Sequence, residues 1–182
     1  DRIPLGVAVE IVGGSFTSRL NERLREREGL TYGAYAVLHT LTLGGGIGAS
    51  SAVETRKTGA ALRSLHEGLS AFATGEVTDE EVKRAVETLR SNTVQSLDEL
   101  SDLTSLLAWY AVQGRGPDVL REDDARLGAV TREDVAKAIR KHVHLDGAAL
   151  VLVGDKTRVL PQLAGLGLPE PKILTVAEAL DL

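Results

Sequence analysis

The sequence predicts an α+β domain, in which a small antiparallel or mixed sheet packs against long helices. Two observations support this fold class. Apolar residues recur at steps of three and four over much of residues 61–110, a spacing that is typical of amphipathic helices. Strand-like composition is confined to residues 31–53 and 148–153, so the predicted sheet is small.

The composition describes a globular chain of ordinary charge. Its 182 residues include 21 Lys and Arg against 26 Asp and Glu, which gives a formal charge of −5, and they include no Cys. Without Cys, a disulfide scaffold or a Cys-based zinc module is excluded. The negative charge disfavours a nucleic-acid partner, and no apolar run approaches the ~20 residues that cross a bilayer. We expect a single domain over residues 1–182, with no membrane span.

The first elements are a helix or strand and then a helix. Residues 5–12 are apolar and fit either a helix or a strand. Gly13 and Gly14 interrupt this run, and the Ser and Thr residues that follow can cap a helix over residues 18–28.

A β-hairpin follows. Residues 31–43 are rich in Tyr, Val, Leu and Thr, and residues 47–53 resume the strand-like pattern after Gly44, Gly45 and Gly46. We therefore expect an antiparallel pair of strands whose turn uses these glycines, because glycine adopts the positive φ that tight hairpin turns need.

The middle of the chain predicts long helices. Apolar residues at helical spacing between positions 61 and 72 stop at Gly75. Residues 78–81, Thr-Asp-Glu-Glu, have the form of a capping box and open an apolar series that extends to Tyr110. This series is either one long helix or two helices placed end to end.

The last predicted elements are a short helix and a strand. Thr131 and Asp134 begin the helix, which ends at the basic residues 141–142. Residues 148–153 are all apolar and predict a fully buried strand. Such a strand needs paired neighbours, and the sequence offers only three strands in total. We therefore expect the domain to be incomplete, with further strands supplied by other sequence or by another subunit.

Two motif searches give no cofactor site. The four histidines, His39, His66, His142 and His144, show neither HxxEH nor HExxH spacing. His142 and His144 could chelate an ion with Asp146, but basic residues at a helix end are also expected from the helix dipole. Residues 44–49, GGGIGA, fit a loose dinucleotide-binding pattern, yet a strand rather than a helix follows them. We expect no metal ligands and no cofactor site in this chain.

The most informative segment is residues 13–35, GGSFTSRLNERLREREGLTYGAY. Alternating Arg and Glu are consistent with a solvated, salt-bridged helix. However, Gly29 ends this helix and a strand carrying Tyr32 follows directly, which brings an arginine and a phenol close enough to act together. A guanidinium and a phenolic hydroxyl are suitable donors to a carbonyl oxygen that gains negative charge.

This segment resembles the signature region in the C-terminal domain of the M16 zinc peptidases, the insulinase or inverzincin family that includes the mitochondrial processing peptidases. The family pattern is a GGS turn, a helix ending in LRE-x-x-G, and a tyrosine strand. Arg25 and Tyr32, seven positions apart, fall on the two positions of the family's R/Y pair. The resemblance continues through the hairpin, the Thr78 helix start and the segment LVLVGD of residues 150–155.

The resemblance implies a function that this chain shares with a partner. The family's zinc is held by an HxxEH motif, which this sequence lacks, so zinc is expected in another domain or subunit. The chain resembles the later part of one M16 repeat, which forms a clamshell around unfolded peptide. Arg25 and Tyr32 would assist catalysis by contacting the scissile carbonyl, and the sheet edge would pair with the peptide backbone.

Two other functions remain open. The chain could be a catalytically inactive M16-like subunit that serves assembly, although a purely structural relative has no need for both Arg25 and Tyr32. Nucleotide binding at residues 44–49 is the third hypothesis. The sequence leaves open the peptide cleaved, the choice between a homodimer and a heterodimer, and the compartment, for which we expect a soluble protein of the bacterial cytoplasm or periplasm.

Overall fold

The structure, a computed structural model, describes residues 1–41, 44–116 and 118–179. The first half of the chain consists of two helices, a hairpin and two longer helices. In chain order these are α1 (Arg2–Val9, extended by the π-helical turn Glu10–Gly14), α2 (Arg19–Asn21, extended by the π-helical turn Glu22–Arg27), β1 (Thr31–Leu41), β2 (Gly44–Val53), a 3₁₀ turn (Thr55–Lys57), α3 (Thr58–Ala73) and α4 (Asp79–Ser96).

The second half of the described chain is helical. Its elements are α5 (Leu100–Val112), α6 (Val119–Gly128), α7 (Arg132–His142), α8 (Lys156–Leu163) and α9 (Val176–Ala179). The long apolar series therefore forms two helices, α4 and α5, rather than one. The predicted α+β class is confirmed.

The core surrounds α1, which is apolar on nearly every side. β1, α4 and α7 all pack against this helix, and a helix that is apolar all round is stable only when it is covered in this way. The side chains of this core are fully or almost fully buried. They include Val7, Ala8, Val12, Leu20, Leu24, Ala34, Ala36, Phe72, Val135 and Ile139.

The sheet is a two-stranded antiparallel hairpin with one covered face. Ala34 pairs with Ser51, Ala36 with Ala49, and Leu38 with Ile47, and this face packs on the core. On the opposite face Tyr35 and Val37 are exposed. The register is irregular between Thr31 and Ala34, and this irregularity determines where the side chain of Tyr32 points.

The predicted glycine turn is wrong in position. Gly44, Gly45 and Gly46 pair with Leu41, Thr40 and His39 as the first residues of β2, while Leu43, the predicted end of the first strand, lies outside the described residues. Gly45 is required by packing rather than by a turn, because a Cβ at this position would lie 2.4 Å from the carbonyl oxygen of His39. Residues 44–49 open no helix, so the dinucleotide interpretation is also wrong.

The predicted strand over residues 148–153 is wrong as well. These residues form no strand, and Val151 and Val153 are 80% and 97% exposed. A strand requires a neighbour to take up its backbone hydrogen bonds, and the only sheet in the described part of the chain is the β1–β2 pair. We call residues 148–153 the apolar segment below.

Among the residues that the structure describes, no helix has both the length and the apolar composition that a membrane span requires.

Candidate functional site

The candidate site begins at α2, the helix that carries Arg25. This helix ends at Gly29, whose φ of 59° lies in the left-handed region that glycine adopts without strain. The N–H of Leu30 then donates to the carbonyl of Leu24 at 2.8 Å, which satisfies an end carbonyl and turns the chain directly into β1. Arg25 and Tyr32 are therefore linked by a short, hydrogen-bonded turn, as the sequence predicts.

Most arginines of α2 are occupied by ion pairs, either with α3 and α4 or within α2 itself. Arg19 makes a bidentate pair with Glu81 at 2.6 and 2.7 Å. Arg23 donates to Ser64 and also pairs with Glu67, and Arg27 pairs with Glu22. These contacts match the salt-bridged helix that the alternating charges predict.

Arg25 makes different contacts from these neighbouring arginines. Its guanidinium carbon lies 4.9 Å above the ring centroid of Phe16, and its Nε is 3.5 Å from Glu26. Stacking on an aromatic face leaves the N–H groups at the edge of the guanidinium plane available to an acceptor. The side chain of Arg25 is 38% exposed, so a substrate can reach it.

Two aromatic residues that were not predicted as site residues complete this surface. Phe16, in the turn between α1 and α2, contacts Tyr35 edge to face, with 6.3 Å between ring centroids and 77° between ring planes. The phenol of Tyr35 folds back over Gly33, where a Cβ would lie 2.6 Å from its oxygen. The concentration of aromatics in residues 16–35, three of six in the chain, was the available signal.

Tyr32 projects from the irregular start of β1 and is 96% exposed. The backbone of this stretch is satisfied by hydroxyl groups: the N–H of Gly33 donates to Thr31 Oγ1 at 3.1 Å, and its carbonyl accepts from the hydroxyl of Ser51 at 2.9 Å. The irregularity is thus a fixed feature of the strand. It presents the phenol of Tyr32 to solvent.

The site rests on one buried polar residue, Asn21, which the sequence analysis also missed. Its side chain is fully buried in α2 and bonds to both backbone groups of Ala34 in β1. An asparagine between Leu20 and Leu24 was the available signal, because Asn is a poor helix former and is rarely buried without partners.

The described histidines do not assemble a metal site. His142 contacts Asp1 at 2.8 Å, and His144 contacts the carbonyl of Lys141. Among the described residues, no group of three or more His, Cys, Asp or Glu is placed to hold a metal ion. The side chains that the structure describes therefore do not fit the zinc of the M16 family, and zinc in another domain or subunit stays a prediction.

A match to a known family covers the part of the chain that contains these residues. Residues 1–89 match the family model described as the peptidase M16 inactive domain. The match and the fold together define the class of this segment and confirm its resemblance to the C-terminal domain of the M16 peptidases.

Particular relatives agree with this class. The chain is 30% identical over 144 residues to an uncharacterized zinc protease of Streptomyces coelicolor, an alignment that covers 76% of the chain and 30% of the relative. The crystal structure of a peptidase M16 inactive domain from Pseudomonas fluorescens superposes with a TM-score of 0.71, at 21% identity, over 80% of this chain and 35% of that one. A protease from Helicobacter pylori gives a TM-score of 0.66, at 18% identity, over 77% and 34%. The chain thus spans about a third of the length of these relatives.

Proposed function

We propose that this chain is the substrate-binding R/Y portion of an M16-type zinc metallopeptidase that hydrolyses peptides, with the HxxEH motif and its zinc supplied by another domain or subunit. The observation that carries the proposal is the difference between Arg25 and the other arginines of α2. Arg19, Arg23 and Arg27 each pair with a carboxylate at least one helical turn away or on another helix, whereas Arg25 pairs with the adjacent Glu26 at 3.5 Å and stacks on Phe16. It lies seven residues before the exposed Tyr32.

The role of the two side chains follows from their donors. A peptide carbonyl gains negative charge on its oxygen as it is attacked, and fixed N–H and O–H donors stabilise this charge more than they stabilise the ground state. Arg25 supplies guanidinium N–H groups and Tyr32 supplies a phenolic O–H. Loss of one such donor typically lowers the rate by ~10²–10³.

The peptide backbone would add to the outer edge of β2. The corresponding edge of β1 is taken at Ala34 by the side chain of Asn21. It is also covered at Ala36 by the end of α1, where a Cβ on Gly13 would lie 2.5 Å from the backbone nitrogen of Ala36. In the described residues, β2 pairs only with β1. An extended peptide can therefore pair with β2 as a third strand.

The test is a pair of single variants, Arg25→Ala and Tyr32→Phe, with Arg27→Ala as a matched control on the same helix. The polypeptide that carries the chain is combined with an HxxEH-bearing M16 protein from the same organism, and cleavage of quenched fluorescent peptides is followed. We expect kcat/KM to fall by ~10²–10³ in each test variant, with unchanged melting temperatures, and to be unaffected by Arg27→Ala.

Two results would contradict the proposal. Near wild-type turnover in both Arg25→Ala and Tyr32→Phe would show that neither side chain contacts the reacting carbonyl. If no HxxEH-bearing partner gains activity when the chain is added, the inactive assembly subunit becomes the better interpretation.

A further inference from the structure

Asn21 is a polar side chain of the core whose amide nitrogen and oxygen both have hydrogen-bond partners. Asn21 is 0% exposed and lies between Leu20 and Leu24, which are also buried. A buried amide is costly unless its donors and acceptor are all bonded. An apolar residue would fill this position in α2 more cheaply, so the contacts of the amide have to explain its presence.

Each polar atom of Asn21 has a partner. The N–H of Ala34 donates to Oδ1 at 2.9 Å, and Nδ2 donates to the carbonyl of Ala34 at 2.9 Å. Nδ2 also donates to the carbonyl of Ser15 at 2.8 Å and approaches the hydroxyl of Ser18 at 3.2 Å. The pair of bonds to Ala34 is the one that a residue of a neighbouring strand would make.

These bonds join the three segments that form the candidate site. Ser15 precedes Phe16 in the turn, Asn21 lies one helical turn before Arg25, and Ala34 follows the irregular stretch that presents Tyr32. The two sequence segments that carry Arg25 and Tyr32 are linked covalently at Gly29. Asn21 supplies a second, side-chain link between them.

We propose that Asn21 is a positioning residue, whose amide fixes the helix of Arg25 relative to the strand of Tyr32 so that both donors meet one carbonyl. The activity part of this inference rests on the proposed function. A misplacement of about 1 Å is enough to lower a rate by about 10²-fold. A side chain that makes no contact with substrate can therefore control the rate.

The first test examines the contact alone, in the protein that carries this chain. Asn21→Leu has a similar volume but no polar atoms, and Asn92→Leu, at the exposed asparagine of α4, is the matched control. We expect amide hydrogen exchange at Ala34 to accelerate about tenfold or more in Asn21→Leu and to stay unchanged in Asn92→Leu. Unchanged exchange at Ala34 in Asn21→Leu would overturn the inference.

A second variant distinguishes loss of this contact from general unfolding. In Asn21→Asp a protonated carboxyl retains one donor and one acceptor for Ala34, whereas the ionised form loses the donor. Its stability relative to the wild type should therefore fall as pH rises through the pKa of the new carboxyl. A difference in melting temperature that is independent of pH would overturn the proposed pair of bonds.

The activity test uses the peptidase assay described for Arg25. Asn21→Asp at neutral pH should lower kcat by about 10- to 100-fold while KM changes less, and combining it with Arg25→Ala should add little further loss. Additive losses would overturn the positioning role. If Arg25→Ala itself has no effect, the proposed function fails and the positioning role fails with it, whereas hydrogen exchange at Ala34 still reports whether the contact exists.

Discussion

Glu10 is a buried acidic side chain that the fold accommodates at a cost in free energy. It lies in the π-helical turn at the end of α1, only 8% of the residue is exposed, and its Oε1 has no hydrogen-bond partner in the described structure. Burial raises the pKa of this carboxyl above its ordinary value of 4.5, although a hydrogen bond with Ser15 opposes the shift. In the pH range between the ordinary pKa and the raised pKa of the folded state, the folded protein therefore binds a proton that the unfolded chain releases.

The shift predicts a pH-dependent effect of Glu10→Gln. Because the folded-state pKa is raised, the contribution of Glu10 to stability is full below the ordinary pKa of 4.5 and is lost as pH rises through the folded-state pKa. Glu10→Gln should thus increase the free energy of unfolding by about 1 kcal/mol at pH 7 and by much less at pH 4. Denaturant unfolding at both pH values measures this, with the exposed Glu87→Gln as control. An equal gain at both pH values would contradict the explanation.

At the scale of elements, patterns that depend on a few neighbouring residues were predicted well. The capping box of α4 forms as expected, with Glu81 N–H donating to Thr78 Oγ1 at 3.1 Å and Thr78 N–H donating to Glu81 Oε2 at 2.8 Å. The same motif begins α7 at Thr131. Arg25 and Tyr32 were assigned from the resemblance to the M16 signature and their role stays a prediction; the structure places them on either side of one turn.

Features that depend on distant partners were not predicted. The apolar segment has the composition of a strand, but in the described residues it has no neighbouring strand to pair with. Composition alone does not show whether such a neighbour is present. The helix α8 was not predicted, and it contains Pro161, a residue that normally argues against a helix interior. Asn21 could be assigned its role only once Ala34 was known to face it.

An ion cluster around Asp123 ties the separate helices together. Asp123 of α6 accepts from Arg115 at 3.1 Å and from Tyr110 of α5 at 3.2 Å, and it also pairs with Arg2 of α1. Burial alone would raise the pKa of Asp123, but hydrogen bonds from Arg115 and Arg2 hold it below its ordinary value of 3.8. Three helices thus share one carboxylate.

Removal of this charge should loosen the contact between these helices. Asp123→Asn is expected to lower the free energy of unfolding by on the order of 1–2 kcal/mol at pH 7. Because the folded-state pKa is depressed, the stabilisation is present above pH 3.8 and is lost as pH falls through the folded-state pKa. The difference from the wild type should shrink in acid. Thermal melts at pH 7 and pH 3 test this, and exposed Asp146→Asn should show neither effect.

At the scale of the whole molecule, the apolar segment has a consequence for the behaviour of the purified chain. Residues 148–153 combine β-branched and leucine side chains, carry no charge, and are exposed, with Val151 and Val153 almost fully so. Such a run is a template for intermolecular strand pairing and aggregation. We therefore expect the chain on its own to form oligomers whose size grows with concentration.

Introducing a negative charge into the apolar segment tests this expectation. Val151→Glu, Val153→Glu and the double variant should shift the chain toward monomer in size-exclusion chromatography with light scattering, because a buried carboxylate disfavours strand stacking. Val112→Glu is the matched control, since Val112 is 86% exposed but lies on a helix. If all of these proteins show the same concentration-dependent mass, the apolar segment does not mediate the self-association. If the prediction holds, a single glutamate provides a soluble form of the chain for measuring the contacts of Arg25, Tyr32 and Asn21.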